Sequence, residues 1–329
     1  MILRLLAGMG FLLLPVTTTM AVDADRPDID AFIDSMVRQH DYDRVKLRDI
    51  LAAAETKESI LELIAKPAEK TLSWAEYRPI FLTEERIRAG ATFWQEHRET
   101  LNKISGDTGV PVEILVGIIG VETYFGRITG GHRVLDALVT LAFDYPPRAK
   151  FFRRELEEFL LLVREEGMAA VDAYGSYAGA MGRPQFMPSS YRAYAVDSTG
   201  DGKRDIWNNW TDVAGSVANY FVAHGWKTGE EITTQATLSG RWQGPTPENA
   251  LRPEETVESL SDKGVVFATE QPCDSDSQLL TLEGTYGTEY WVGFHNFFVI
   301  TRYNRSVMYA LVVHQLGQEI ALEIGRAAL

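Results

Sequence analysis

The run from Pro111 to Gly126, PVEILVGIIGVETYFG, constrains this chain more than any other stretch, because its spacing gives a helix that should carry only core side chains and yet holds Glu122. Pro111 suits the first helical position and Glu113 the first turn, and Gly126 is a natural stop. Glu122 follows Ile119, Ile118 and Leu115 by three, four and seven residues, so its carboxyl shares their apolar face. It also falls in the last turn, where the negative end of the helix dipole disfavours a carboxylate. Both effects favour the protonated form. A carboxylic acid kept protonated near neutral pH by an apolar wall is what a general acid for glycosidic cleavage requires. A partly exposed charge at a helix end is the plainer alternative.

At 329 residues the chain is long enough for roughly two or three domains and a sizeable core. Hydrophobic residues make up 45% and charged residues 24%, which excludes both a disordered chain and a multi-span membrane protein. The formal net charge of −14 argues against a general nucleic-acid binder, so no nucleic-acid partner is expected. An anionic polymer would have to be met by local Arg and Lys. Residues 1–21 differ from the rest: Arg4 precedes an apolar run from Leu5 to Pro15, and VTTTMA at 16–21 resembles a signal-peptidase site. Export to the periplasm is expected, with cleavage after Ala21 or Ala24; an uncleaved anchor is the alternative, although the run is short for a span. Cys273 is the only cysteine, so no intrachain disulfide forms, and no Cys near the leader's end can carry a lipid anchor. The six histidines show no metal-ligand spacing.

The pattern divides the mature chain in four. Residues 28–100 read as helical, with apolar residues at three and four spacings over 59–70 and 82–101; residues 101–226 alternate helices with Gly-rich loops and hold every dense motif. Residues 227–292 are short runs of Thr, Val and aromatics between Gly and Pro clusters, read as a small β insertion, and 293–329 return to a long amphipathic helix.

Three further features carry chemistry. In SYAGAMGRPQFMPSS, 176–190, four small residues let the backbone approach a ligand or a neighbouring strand, with Ser176 and Gln185 supplying hydrogen-bonding groups suited to sugar hydroxyls and acetamido groups. Close helix packing by small residues is the other reading. In DSTGDGKRDIWN, 197–208, Asp197, Thr199, Asp201 and Asp205 fall at positions 1, 3, 5 and 9 of an EF-hand spacing, with Gly202 at 6 and Lys203 at 7, where the main-chain carbonyl serves. Asn208 stands where a bidentate Glu is usual, so a structural Ca²⁺ would bind weakly, or Na⁺ would replace it; a plain Asp/Gly turn is the alternative. Finally Tyr77, Tyr124, Tyr220, Tyr303, Asn304 and Tyr309 offer ring faces and polar groups to sugars, though scattered tyrosines are more often core-edge residues.

Taken together, GVETYFG at 120–126, SYAGAMGRPQFMPSSY at 176–191, the EF-hand-like loop, GSVANYFVAHGW at 215–226 and ITRYNRSVMYA at 300–310 closely resemble the B-type lytic murein transglycosylases, soluble and lipid-anchored enzymes of the bacterial periplasm. The resemblance runs from about Asp28 to Gly325. It implies an α+β, mainly helical fold, with a lysozyme-like core, a helical domain, a small β insertion and a saccharide groove across the core. It also implies cleavage of the β-1,4 bond between N-acetylmuramic acid and N-acetylglucosamine with formation of a 1,6-anhydro ring, no cofactor for the chemistry, and peptidoglycan strands and muropeptides as partners. Glu122 matches the single catalytic acid/base. Ser176, Gln185, Tyr77, Tyr220, Tyr303, Asn304 and Tyr309 match groove positions, and Arg148 matches an arginine suited to the anionic peptide stem. The chain departs from a close relative in having Pro147 before Arg148 instead of a second arginine, Arg183-Pro184 for a Tyr-Gly pair, and Asn208-Asn209 at the end of the metal loop. A muramidase that hydrolyses the same bond, and a binding protein without turnover, are the competing readings.

Overall fold

A computed structural model describes residues 19–65, 72–240, 242 and 249–327. The expected leader lies outside them as far as residue 18, while Thr19–Ala21 forms strand β1, antiparallel to β2 at Glu55–Lys57. The opening region is helical: α1 Pro27–His40, α2 Arg44–Ala52, α3 Glu58–Ile64, α4 Trp74–Phe81, α5 Glu84–Glu96 and α6 Arg98–Thr108. Of the 59–70 pattern, 66–70 fall outside the described residues. The 82–101 pattern is not one helix but two, α5 and α6, meeting at His97, whose ring turns inward onto Phe93 and Trp210 at 4.6 and 5.6 Å.

Next come α7 Val112–Thr123, β3 His132–Arg133, α8 Val134–Asp144, a 3-10 turn Pro146–Arg148, α9 Ala149–Glu165, β4 Tyr174–Gly175, α10 Pro188–Tyr194 and α11 Trp210–Ala223. β3 and β4 pair as a two-stranded sheet beside the loop after α7. Two boundaries of α7 differ from expectation. Pro111 is the cap residue before the helix, extended at ψ 146°, and the helix stops at Thr123, because Tyr124 and not Gly126 takes the left-handed cap.

The inserted strands are β5 Thr233–Leu238, β6 Glu255–Thr256, β7 Val265–Phe267, β8 Asp276–Gly284 and β9 Gly287–Phe294, with the short helix α12 Val257–Asp262 after β6. They form one sheet in the order β6-β8-β9-β5-β7, and β9 runs two residues past the expected limit at 292. Alternation along these strands gives the sheet its own small core of Ala236, Val257, Leu260, Val265, Leu279, Val292 and Phe294. The chain then returns through α13 His295–Tyr303 and α14 Val307–Ala327.

The centre of the main core is the crossing of α7 and α14. Ile114, Leu115, Val116, Ile118 and Ile119 are at most 1% exposed, and each such side chain contributes about 1.5–3 kcal/mol by leaving water. The two helices touch backbone to backbone through one glycine from each. A Cβ on Gly117 would stand 2.4 Å from the Val313 carbonyl oxygen, and one on Gly317 would stand 2.2 Å from that of Glu113. This approach sets the first turn of α14 beside the last turn of α7. Among the described residues no single helix is long and apolar enough to cross a membrane.

Candidate active site

The end of α7 is an unusual turn. Tyr124 N–H donates to Gly120 O at 3.2 Å and Phe125 N–H to Ile119 O at 3.3 Å, closing the helix, with Tyr124 and Phe125 both left-handed at φ 50° and 57°. Such conformations cost a residue with a Cβ roughly 1–2 kcal/mol each. Packing supplies the compensation: the Phe125 ring folds back over Gly120 and Gly90 and stacks on Phe93 at 5.5 Å. Glu122, half-buried, stands two residues before this reversal.

Across from it, Tyr309 in the first turn of α14 donates its hydroxyl to Glu122 Oε1 at 2.5 Å. The Tyr303 ring stacks on Tyr309 at 6.4 Å and donates to Pro184 O at 2.6 Å, and Tyr220 meets Tyr303 at 4.8 Å and donates to Arg302 O at 2.6 Å. Burial, reinforced by the Glu122 charge, pushes the Tyr303 and Tyr309 phenols well above their usual value, so both remain hydroxyl donors. Burial likewise raises Tyr220. The expectation that these rings line a groove as substrate contacts needs correcting for three of them: Tyr77, Tyr220 and Tyr309 are 2%, 7% and 2% exposed, and present almost no surface to a ligand. A buried phenol needs an internal partner, and for Tyr220 and Tyr309 that partner holds the site from behind. Tyr303 and Asn304 are half-buried.

The small-residue loop is built by its own hydrogen bonds. Ser176 Oγ accepts from Ala178 N at 3.2 Å and Ala180 N at 3.1 Å, which leaves its hydroxyl proton as the group to donate outward. Gln185, left-handed at φ 53°, donates through Nε2 to Gly182 O at 2.8 Å and Thr129 O at 3.1 Å, so its carbonyl oxygen is the group it can offer a ligand. Arg183 stacks on Trp210 at 3.8 Å and donates to Asn208 O at 3.0 Å, so its guanidinium is engaged with the start of α11 and the loop before it.

Tyr124 belongs to a second wall. Arg86 lies 5.1 Å from the centre of the Phe81 ring and 4.6 Å from that of Tyr124; Arg127 approaches the same tyrosine at 4.9 Å, and Tyr77 meets Phe81 at 5.0 Å. Arg148 is elsewhere, exposed on the turn before α9 and stacked on Phe151 and Phe152 at 4.4 and 5.1 Å. Sequence reading missed Thr123, Phe81 and Arg86; only Thr123 carried a signal, its place beside Glu122.

In the loop 197–208, Asp197 accepts from the amides of Gly200 at 2.6 Å and Gly202 at 2.7 Å, Asp201 from that of Lys203 at 2.9 Å, and Asp205 from those of Trp207 and Asn208 at 2.9 Å. The Asp197 carboxyl is held below its usual range by these amides, Gly202 first. Fully buried Asp212, which the spacing did not mark, accepts from Ser198, Thr199 and Asp205 amides and pins the loop to α11. Asn209 is occupied as the cap of α11. The donors are hard oxygens of the type Ca²⁺ takes, and Thr199 Oγ1 lies 3.2 Å from Asp197 Oδ1 and 3.5 Å from Asp212 Oδ1, but among the described residues no three acidic, His or Cys side chains are arranged to hold a metal.

Comparison with known proteins bears on both fold and site. The transglycosylase SLT domain family matches residues 24–318. Membrane-bound lytic murein transglycosylase B of Escherichia coli (strain K12) is 43% identical over 327 residues, 95% of this chain and 89% of that protein. The crystal structure of soluble lytic transglycosylase SltB1 from Pseudomonas aeruginosa superposes with a TM-score of 0.86 at 48% identity, over 91% of this chain and 100% of that one. That of Escherichia coli Slt35, solved in complex with calcium, gives 0.83 at 42%, over 93% and 96%. The class that fold and site define is therefore the lysozyme-like lytic transglycosylases of peptidoglycan. The chain belongs to the transglycosylase SLT domain family, in its B-type branch.

Proposed function

We propose that this enzyme cleaves the β-1,4 bond between N-acetylmuramic acid and N-acetylglucosamine without water, leaving a 1,6-anhydromuramoyl end, and that Glu122 is its catalytic acid and base. The observation that carries the reading is the Tyr309–Glu122 hydrogen bond at the end of a helix built mainly of apolar side chains. Glu122 gives its proton to the glycosidic oxygen as the C1–O bond breaks, and the muramoyl acetamido group shares the positive charge at C1. The resulting carboxylate then takes the proton of the C6 hydroxyl as O6 bonds to C1, which restores the acid. The Tyr309 hydroxyl serves the first half more than the second, since a hydrogen bond to an ionised carboxylate is roughly twice as strong as one to a neutral acid and so favours release of the Glu122 proton to the leaving oxygen. In the second half it holds the carboxylate in place for the C6 hydroxyl.

In this reading Ser176 donates to a substrate oxygen, the Gln185 carbonyl accepts from a hydroxyl or acetamido N–H, Tyr124, Tyr303 and Asn304 border the sugars, and Arg148 meets a stem-peptide carboxylate. The division into helical region, catalytic core, β insertion and returning helix, and export by the leader to the periplasm, belong to the same proposal. So does calcium: the loop 197–208 takes it up only weakly, by turning Asp197, Asp201 and Asp205 off their amides. Mass spectrometry of products from purified peptidoglycan tests the reaction. Anhydro-muropeptides, each one water lighter than the reducing-end product and absent with Glu122→Gln, are expected; reducing-end products make the enzyme a muramidase.

A further inference from the structure

Three consecutive carbonyls in the loop before Gln185 are each held by a side chain from a different place. Gly182 O accepts from Gln185 Nε2 at 2.8 Å, Arg183 O from Thr123 Oγ1 at 3.0 Å and Pro184 O from Tyr303 Oη at 2.6 Å. The middle one comes from the residue directly after Glu122. Thr123 is 1% exposed, and the same oxygen that donates to Arg183 accepts from Gly126 N at 3.2 Å. One hydroxyl thus joins the end of α7, the left-handed turn that follows it and the loop on the far side, and Ile128 N closes the turn onto Thr123 O at 2.9 Å.

We propose that Thr123 is a positioning residue for the transglycosylase reaction, its hydroxyl fixing the distance between Glu122 on α7 and the Ser176 to Gln185 loop. The inference rests on Glu122 being the acid. Tyr124 and Phe125 both occupy a conformation that side chains disfavour, so the end of α7 has an easier geometry to fall into once a restraint is lost. Without the hydroxyl, Arg183 O and Gly126 N lose their shared partner inside the protein, and the turn relaxes by rotating Glu122. A shift of about 1 Å in a reacting group costs up to about a hundredfold in rate, while binding along the rest of the groove is untouched. A residue that only stabilised the fold would lower the melting temperature and leave the rate per folded molecule as it was.

The test compares the whole enzyme with Thr123→Val, which keeps the shape and removes the hydroxyl, and Thr123→Ser, which keeps the hydroxyl. Turnover of a soluble muropeptide oligomer is measured well below melting, with the folded fraction checked by circular dichroism. Thr123→Val is expected to lose about tenfold or more in kcat with KM within about twofold, and Thr123→Ser to stay within about threefold of the parent. Full kcat in folded Thr123→Val, or equal losses in both variants, overturns the proposal. If Thr123→Val does not fold, Tyr303→Phe frees the neighbouring Pro184 carbonyl and reads the same loop: a kcat loss of about fivefold at steady KM is expected, and unchanged kcat overturns it. Glu122→Gln is run alongside. Turnover by that variant overturns the acid assignment and this inference with it, whereas an inactive Glu122→Gln beside a fully active Thr123→Val overturns the positioning role alone.

Discussion

Two polar regions of this molecule are built in opposite ways. Around Glu122 the decisive hydrogen bonds join residues 187, 119 and 82 positions apart, from Tyr309, Tyr303 and Tyr220. In the loop 197–208 Asp197 and Asp201 bond amides two to five positions away. The corner by Glu122 is assembled by the packing of α7 on α14, and its side chains have one arrangement. The loop is a local fold of backbone around carboxylates, tied to the body through Asp212. A site that needs fixed atoms is carried by the first kind of structure, and the second can rearrange at little cost to the core.

The largest effect expected from breaking that contrast is chemical. Glu122→Gln should lower kcat by about 10²–10⁴ and leave the melting temperature within about 2 °C, checked by turnover and calorimetry. Next is the crossing itself: Gly317→Val puts a Cβ against a backbone oxygen that cannot withdraw, and should cost about 3 kcal/mol in chemical denaturation and most of the activity. The third concerns acid. Burial pulls His314 on α14 from 6.5 down to about 4, so the unfolded chain takes up the proton first as pH falls. The stability gained by keeping this ring neutral is complete above about pH 6.5 and is lost between there and about pH 4, on the order of 2 kcal/mol once partial solvent access is allowed for. His314→Leu should flatten the melting temperature across that window; an unchanged slope would show that other groups carry it.

Smaller still, Tyr309→Phe should lower kcat about tenfold and move the alkaline limb of the rate profile to higher pH, because removing an O–H donor takes support from the carboxylate form. Last, millimolar calcium should raise the melting temperature by less than about 2 °C, and a chelator should leave turnover unchanged. A rise of about 5 °C or more would mean that the loop closes into a real coordination shell and that the contrast between the two regions is one of ligand state.

What could be read from residues alone follows the same division. Spacing identified the helix that carries Glu122, and short runs of Thr, Val and aromatics between Gly and Pro clusters identified the β insertion, since both are local properties. It located the oxygen-rich loop but not its occupancy, because the same Asp and Gly spacing serves a metal shell and a set of backbone turns. The break at His97 and the early end of α7 escaped it, as each depends on a ring that packs against a distant aromatic. For the tyrosines, resemblance placed them at the groove, but only coordinates show that Tyr220 and Tyr309 spend their hydroxyls inward.

The crossing of α7 and α14 also has a temporal meaning. Gly117 meets residues near Gly317, so the contact closes a loop of about 200 residues and waits for the last described helix. Until that helix is made, the face of α7 that meets α14 has no cover and Glu122 has no Tyr309. A chain still leaving the ribosome therefore lacks the finished corner until α14 has been made.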